Sequence, residues 1–147
     1  MARRGRLSMT SSGFTLVELL VVMIIIGLLA ALVGPRMFGK VDRARQQSAK
    51  AQIELFSTSL DAYRLDVGSY PTTEQGLEAL RVAPPNVTGW DGPYLPKEIP
   101  MDPWGRPYVY KSPGDHGDFD ILSLGQDGQT GGEKNDKDIV SWKGIDQ

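Results

Sequence analysis

Residues 13–18 read Gly-Phe-Thr-Leu-Val-Glu and open an apolar run that continues without another charge to Val33. About twenty residues of this kind are long enough to cross a bilayer as one helix. The run carries one carboxylate, Glu18, and an ionisable group in such a span costs roughly 2–3 kcal/mol or more unless it has a partner. A cut between Gly13 and Phe14 would create an amino group on Phe14 about one helical turn from Glu18. The sequence therefore predicts a membrane-spanning helix with functional residues at its start.

Charge is distributed unevenly along the 147 residues. Residues 1–50 contain eight Lys or Arg and two carboxylates, whereas residues 51–147 contain eight Lys or Arg and sixteen Asp or Glu. An acidic distal part disfavours contact with a phosphate backbone and suits solubility or binding of a hard cation. We therefore expect no nucleic-acid partner.

Cysteine and histidine counts exclude several kinds of site. The chain has no cysteine, which excludes disulfides, zinc–thiolate sites and thiol catalysis, and its one histidine, His116, excludes a histidine-cluster metal site. His116 lies among glycines and aspartates at 114–118, and this composition favours a polar turn over a Ser-His-Asp arrangement.

Beyond Pro35, which would normally bend or break a helix, apolar residues recur at steps of three and four. Such a stripe is typical of one helix face buried against a domain. Its members are Ala49, Ile53, Phe56, Leu60, Tyr63 and Val67. The positions between them are polar and are predicted to lie on the opposite, solvent-facing side: Gln47, Lys50, Glu54, Asp61 and Arg64. Gly68 is predicted to end the helix.

After Gly68, turn residues recur every few positions and indicate loops and short strands. Residues 72–80 predict a short capped helix, and residues 90–103 predict a loop. Residues 107–111 and 119–124 alternate as strands do and predict a hairpin with its turn at 113–117. The expected fold class is α+β, with a long N-terminal helix packed on a small antiparallel sheet.

The segment at residues 124–139 combines glycines at 125, 128, 131 and 132 with oxygen-bearing side chains. Those side chains are Asp127, Gln129, Asn135, Asp136 and Asp138. Oxygen atoms on a flexible loop are what calcium requires, but the spacing is not that of an EF-hand. From spacing alone, a calcium site and a solvated acidic turn both remain open.

The N-terminus resembles the class III signal of type IV pilins and pseudopilins. That resemblance implies that a prepilin peptidase removes residues 1–13, cutting after Gly13 and methylating Phe14, and that Glu18 acts in assembly. Two alternatives are an ordinary secretory signal, cut after the apolar run, and a plain transmembrane anchor.

Distal motifs resemble the major pseudopilins of type II secretion systems. The motifs are YPTTEQGL at 70–77, DPWG at 102–105 followed by PY at 107–108, LSLGQDG at 122–128, and DI at 138–139 before Trp142. The resemblance implies a non-enzymatic subunit of a periplasmic filament that pushes folded proteins through the outer membrane. Implied partners are further copies of the chain, minor pseudopilins, the prepilin peptidase, an inner-membrane secretion platform and, before assembly, membrane lipid.

The same resemblance implies a domain order and a cofactor. Residues 14–35 would form the membrane and filament-core helix, residues 36–67 its amphipathic continuation, and residues 68–147 a periplasmic α+β domain on a single-pass inner-membrane protein. Calcium would be held in the C-terminal loop, and the implied ligands are the Leu124 carbonyl, Asp127, Gln129, Asn135, Asp136 and Asp138. Lys134 and Lys137 lie among the second group and lower its negative charge.

Two rival functions are a type IV pilin of surface fibres and a membrane-anchored enzyme. The enzyme would need a nucleophile with a base, or a pair of acids in a cleft, and the sequence offers neither pattern.

Overall fold

The computed structural model describes residues 13–144, apart from the side chains at 35–38. The chain divides into two compact units, Met1–Gly39 and Lys40–Gln147. Of the predicted leader at 1–13, all but Gly13 lies outside the described residues.

Helix α1 spans Leu16–Val67 and includes Gly34 and Pro35. By length and composition, its apolar first part could cross a membrane. None of the most apolar 18 residues is buried among the described residues of the chain. The helix ends where the sequence predicts: Gly68 adopts a φ of 91°, and its amide donates to the Arg64 carbonyl at 2.8 Å. Glycine adopts this conformation with little strain, which is why it terminates helices well.

The apolar stripe of α1 forms the core of the second unit. Ala49, Ile53, Phe56, Leu60 and Tyr63 are each at most 1 % exposed, so the predicted buried face is confirmed for these five residues. Val67, at the end of the stripe, is partly buried and packs against this core. Each large apolar side chain buried in this way contributes about 1.5–3 kcal/mol.

Aromatic contacts fix how the core packs on the helix. Phe56 meets Tyr108 edge to face with ring centroids 5.1 Å apart, and Tyr63 meets Tyr94 at 5.6 Å. Edge-to-face pairs add specificity to burial because the ring edge is electropositive and the ring face electronegative.

The sheet has three antiparallel strands in the order β1-β2-β3. Strands β1 (Val109–Lys111) and β2 (Asp120–Ser123) form the predicted hairpin with Tyr110 opposite Ile121, although both strands are shorter than predicted. Strand β3 (Ile139–Val140) pairs with β2 and was not predicted, because two residues are too few to show alternation. The α+β fold class is confirmed.

Residues 72–80 differ in helix type from the prediction. The Thr72 amide donates to the Gln75 side chain at 2.9 Å, and the Gln75 amide donates to the Thr72 hydroxyl at 3.3 Å. A four-residue 3-10 helix follows at Leu77–Leu80. The capping pattern is therefore real, but it closes a turn and a 3-10 helix instead of an α-helix. Residues 90–103 form a loop, as predicted.

Candidate functional site

The start of helix α1 is closed by a reciprocal capping pair. The Thr15 amide and hydroxyl donate to Oε2 of Glu18 at 3.0 and 3.1 Å, and the Glu18 amide donates to the Thr15 hydroxyl at 3.2 Å. Such a capping box satisfies backbone donors that the first helical turn leaves unpaired. Glu18 thus has a partner in the uncut chain that the sequence reasoning overlooked, although the Thr-x-x-Glu pattern could have indicated it.

The first half of the C-terminal loop is a tight turn that follows β2. The Gly128 amide donates to the Leu124 carbonyl at 3.1 Å, and the Gln129 amide donates to Oδ1 of Asp127 at 3.0 Å. Gly125 and Gly128 have φ angles of 60° and 71°, which a residue with a side chain rarely adopts. Three predicted ligands, Leu124, Asp127 and Gln129, therefore belong to one turn.

Arg106 holds this turn from the side. Its guanidinium donates to the carbonyls of Gly125 and Gln126 at 2.6 and 3.0 Å. A Cβ on Gly128 would come within 2.6 Å of the Arg106 Nε atom, so the turn packs directly on the guanidinium. Arg106 could not be identified from the sequence, since one arginine in a loop carries no pattern.

The DPWG motif places Arg106 against the sheet. The buried Asp102 carboxylate accepts from the amides of Trp104 and Arg106 at 3.0 and 2.8 Å and from the Ser123 hydroxyl at 2.6 Å. Ser123 is the last residue of β2, one position before the loop begins. The motif is therefore a turn that holds the loop region onto the sheet.

The second half of the loop contains a 3-10 helix at Lys134–Asp136. The Asn135 side-chain amide donates to Oδ2 of Asp42 on α1 at 2.7 Å, and the Asp136 side chain is exposed. Asn135 is therefore held on α1. The Asp136 backbone lies against the turn at 124–129, since a Cβ on Gly125 would come within 3.1 Å of the Asp136 carbonyl oxygen.

Asp138 bonds back to an earlier glycine of the loop. Its Oδ2 accepts from the Gly131 amide at 2.8 Å, while its Oδ1 is buried and has no hydrogen-bond partner among the described residues. Desolvation raises the pKa of Asp138 and the Asp127 charge raises it further, although the Gly131 amide opposes both. An unpartnered carboxylate oxygen near a second carboxylate is a place where a cation would be favoured.

The carboxylates alone do not complete a metal site. Across residues 13–144, no group of three or more His, Cys, Asp or Glu is gathered in a way that could hold a metal ion. Of the predicted ligands, the structure holds Asn135 on the helix and packs the backbone of Asp136 against Gly125, in the turn that carries Asp127. Any remaining ligands would have to be neutral oxygens of the loop, which calcium accepts.

Lys50 corrects one sequence prediction. It was expected on the solvent-facing side of α1, yet it is partly buried, and its ammonium donates to the carbonyls of Val140 and Lys143 at 2.9 and 2.7 Å. A lysine can bury its stem and still satisfy its ammonium when backbone oxygens surround it.

His116 lies in the connection between β1 and β2, as the turn composition predicted. Its Nδ1 is 3.0 Å from Oδ2 of Asp120, and its ring stacks on Trp142. Burial alone would raise the pKa of Asp120, but hydrogen bonds from the His116 ring and from the amides of Asp115 and His116 outweigh it and leave the pKa below its usual value. This geometry serves to join chain segments.

Comparison with protein families gives two matches that together cover most of the chain. A family described as "Type II secretion system (T2SS), protein G" matches residues 36–142, and a "Prokaryotic N-terminal methylation motif" matches residues 8–34.

Individual relatives match over almost their whole length. The type II secretion system core protein G of Pseudomonas aeruginosa is 48% identical over 134 residues, covering 89% of this chain and 94% of the relative. The Vibrio cholerae protein of the same name is 47% identical over 134 residues, covering 89% and 91%. The crystal structure of the major pseudopilin from the type 2 secretion system of enterohaemorrhagic Escherichia coli is also similar. It has a TM-score of 0.58 and 41% identity, and the match covers 74% of this chain and 95% of that one. The chain therefore belongs to the type II secretion system protein G family, the major pseudopilins.

Proposed function

We propose that this chain is a structural, non-enzymatic subunit whose copies polymerise into the periplasmic filament of a type II secretion system. Growth of the filament would push folded proteins through an outer-membrane channel. The observation that carries the proposal is the apolar first part of α1, which is long enough to span a membrane and is not buried by its own chain. Lipid would cover this surface before assembly, and the helices of neighbouring copies would cover it afterwards.

Processing by a prepilin peptidase would come first. The methylation motif at residues 8–34 supports cleavage after Gly13 and methylation of Phe14 at the cytoplasmic face, which leaves the second unit in the periplasm. The Thr15–Glu18 capping box is consistent with this step, because every donor and acceptor in it survives the cut. Minor pseudopilins and an inner-membrane platform would complete the machine.

The C-terminal loop would bind calcium. The unpartnered Oδ1 of Asp138, the nearby Asp127 charge and the backbone oxygens of a glycine-rich turn fit a hard cation. Asp127 and Asp138 would be the charged ligands, with the Leu124 carbonyl and Gln129 from the same turn as Asp127. Asn135, which bonds to Asp42 in the cation-free chain, and Asp136, whose backbone lies against Gly125, would supply further ligands. Bound cation would neutralise both carboxylates and order the loop.

Intact mass and secretion test the subunit role together. Protein extracted from the membranes of secreting cells should have the mass of a chain that begins at methylated Phe14. Cells lacking the gene should stop secreting and recover when it is restored. A mass that includes Met1, or a start after Ala31, in secreting cells would contradict the proposal. Calorimetric titration of the detergent-solubilised full chain tests the cation site, with magnesium as the control because magnesium demands stricter octahedral geometry.

A further inference from the structure

Three polar side chains of α1, Asp42, Gln46 and Lys50, follow one another at intervals of four residues. That interval places them on one face of the helix. All three are partly buried, whereas residues 43–45 and 47–48 between them are exposed. We call these three residues the polar strip.

Each member of the polar strip bonds to the C-terminal segment. Oδ2 of Asp42 accepts from the Asn135 side chain at 2.7 Å, and the Gln46 side-chain amide donates to the Lys134 carbonyl at 2.7 Å. Lys50 donates to the carbonyls of Val140, Ser141 and Lys143 at 2.9, 3.5 and 2.7 Å. The strip therefore holds residues 134–143 along the helix.

Lys50 contributes most of this contact. An ammonium has three donors and no acceptor, and here three backbone carbonyls lie within its reach. Hydrogen bonds from a charged donor are stronger than those between neutral groups. Val140 is the last residue of β3, and Ser141 and Lys143 follow it, so Lys50 fixes the end of the strand and the chain directly after it.

Asp138 lies between the two bonded regions, three residues after Asn135 and two before Val140. Lys50, Gly131, Asp138 and Trp142 line one cavity of about 250 Å³. The glycines in this half of the loop would otherwise make its ordering costly in conformational entropy. The hydrogen bonds of the polar strip offset part of this entropy loss before a cation binds.

We propose that the polar strip positions the second half of the loop for the cation without touching it. Residues 134–143 are held on α1, and the Lys137 carbonyl beside Asp138 packs on Gly125, where an added Cβ would lie 2.8 Å from it. The two halves of the loop therefore meet in the cation-free chain, and less ordering remains to oppose binding. This proposal deepens the proposed function and rests on the cation site described there.

The test compares matched variants of the detergent-solubilised full chain. Gln46→Ala and Lys50→Met remove strip contacts. Gln47→Ala and Lys40→Met make the same chemical changes at exposed positions of α1. Calcium titration should show an affinity loss of about 10- to 100-fold for the strip variants, as for groups that orient metal ligands from outside the metal's own contacts. The control variants should match wild type.

Hydrogen–deuterium exchange in chelator separates positioning from general damage. The strip variants should exchange faster at residues 134–143 while the core stripe of α1 keeps its protection. Lys50→Arg, which retains a cationic donor, should recover part of the affinity. Equal calcium affinity for Gln46→Ala and Gln47→Ala would overturn the proposal. If wild type binds no calcium, the proposed cation site itself is contradicted. This outcome can be told apart, because the control variants would then show no calcium binding either.

Discussion

The ring of His116 lies flat on the indole of Trp142, with ring centroids 3.8 Å apart and 4° between the planes. The same histidine bonds through Nδ1 to Asp120 in β2 at 3.0 Å. The contact joins the β1–β2 connection to the segment after β3, whose neighbouring carbonyls are held by Lys50. The C-terminal segment is thus fastened to the sheet on one side and to the helix on the other.

Asp120→Asn should destabilise the protein by about 1–3 kcal/mol near neutral pH, the usual cost of leaving buried donors unsatisfied. The carboxylate is 5% exposed and accepts from the His116 ring and from the amides of Asp115 and His116. Folding lowers the pKa of Asp120 from 3.8. The carboxylate therefore contributes its full stabilisation above pH 3.8, and this is lost as the pH falls through the pKa of the folded state.

Thermal melting of wild type and Asp120→Asn therefore gives a difference that shrinks below pH 3.8. Asp118→Asn is the control, because Asp118 is exposed and pairs at the surface with Arg64. A difference between wild type and Asp120→Asn that stays constant on acidification would contradict this assignment.

Glu18→Val should insert and be processed but assemble poorly, because it removes a charge that would pair with the Phe14 amine. Valine also removes the capping acceptor for Thr15, so a second variant is needed. Glu18→Gln keeps the capping geometry and loses only the charge. Both variants should give a normally cleaved chain with little filament and little secretion. Normal secretion by Glu18→Gln would assign the residue to capping alone.

Chelation should lower the melting temperature of the detergent-solubilised chain and expose residues 124–139 to protease. A cation that binds only the folded form stabilises it by about 2.7 kcal/mol at roughly 100 times the dissociation constant. Asp127→Ala should melt as the chelated wild type does, fail to respond to calcium and impair secretion, with cleavage at Gly13 intact. Magnesium should restore little of the melting temperature that the chain loses on chelation. Identical melting curves with chelator and with calcium would leave the loop as an acidic turn.

The effect of Asp138→Asn on the melting temperature should reverse when calcium is added. In chelator the variant should melt at or above the wild-type temperature, since it removes a poorly solvated charge beside Asp127. In saturating calcium it should melt below wild type, because a charged ligand is missing. Glu133→Gln is the matched control, because Glu133 is an exposed carboxylate of the same loop that is not a predicted ligand, and its melting temperature should shift far less. An equal loss for Asp138→Asn in both conditions would mean that the carboxylate only supports the Gly131 hydrogen bond.

Features with a local period could be predicted from the chain alone. The membrane-length apolar run, the buried stripe from Ala49 to Tyr63 and the hairpin each repeat a pattern within a few residues. Gly68 ends α1 as expected, because the conformation it needs depends on its own backbone. The acidic loop could be recognised by composition, but composition left open which of its oxygens face one another.

How that loop is held depends on contacts between residues far apart in the chain. The bonds of Gln46, Lys50 and Asp42 to the C-terminal segment connect residues 88 to 93 positions apart, and the Arg106 bond to Gly125 spans 19. No local pattern encodes such pairs, so Lys50 reads as a solvent-facing lysine until the fold surrounds its ammonium with carbonyls. Residue order is enough to predict the helix, its buried face and the family motifs, since these depend on near neighbours and hydrophobic period. The partners of Lys50, Asn135 and Asp138 follow from chain folding, which alone brings distant backbone oxygens and amides within hydrogen-bonding distance.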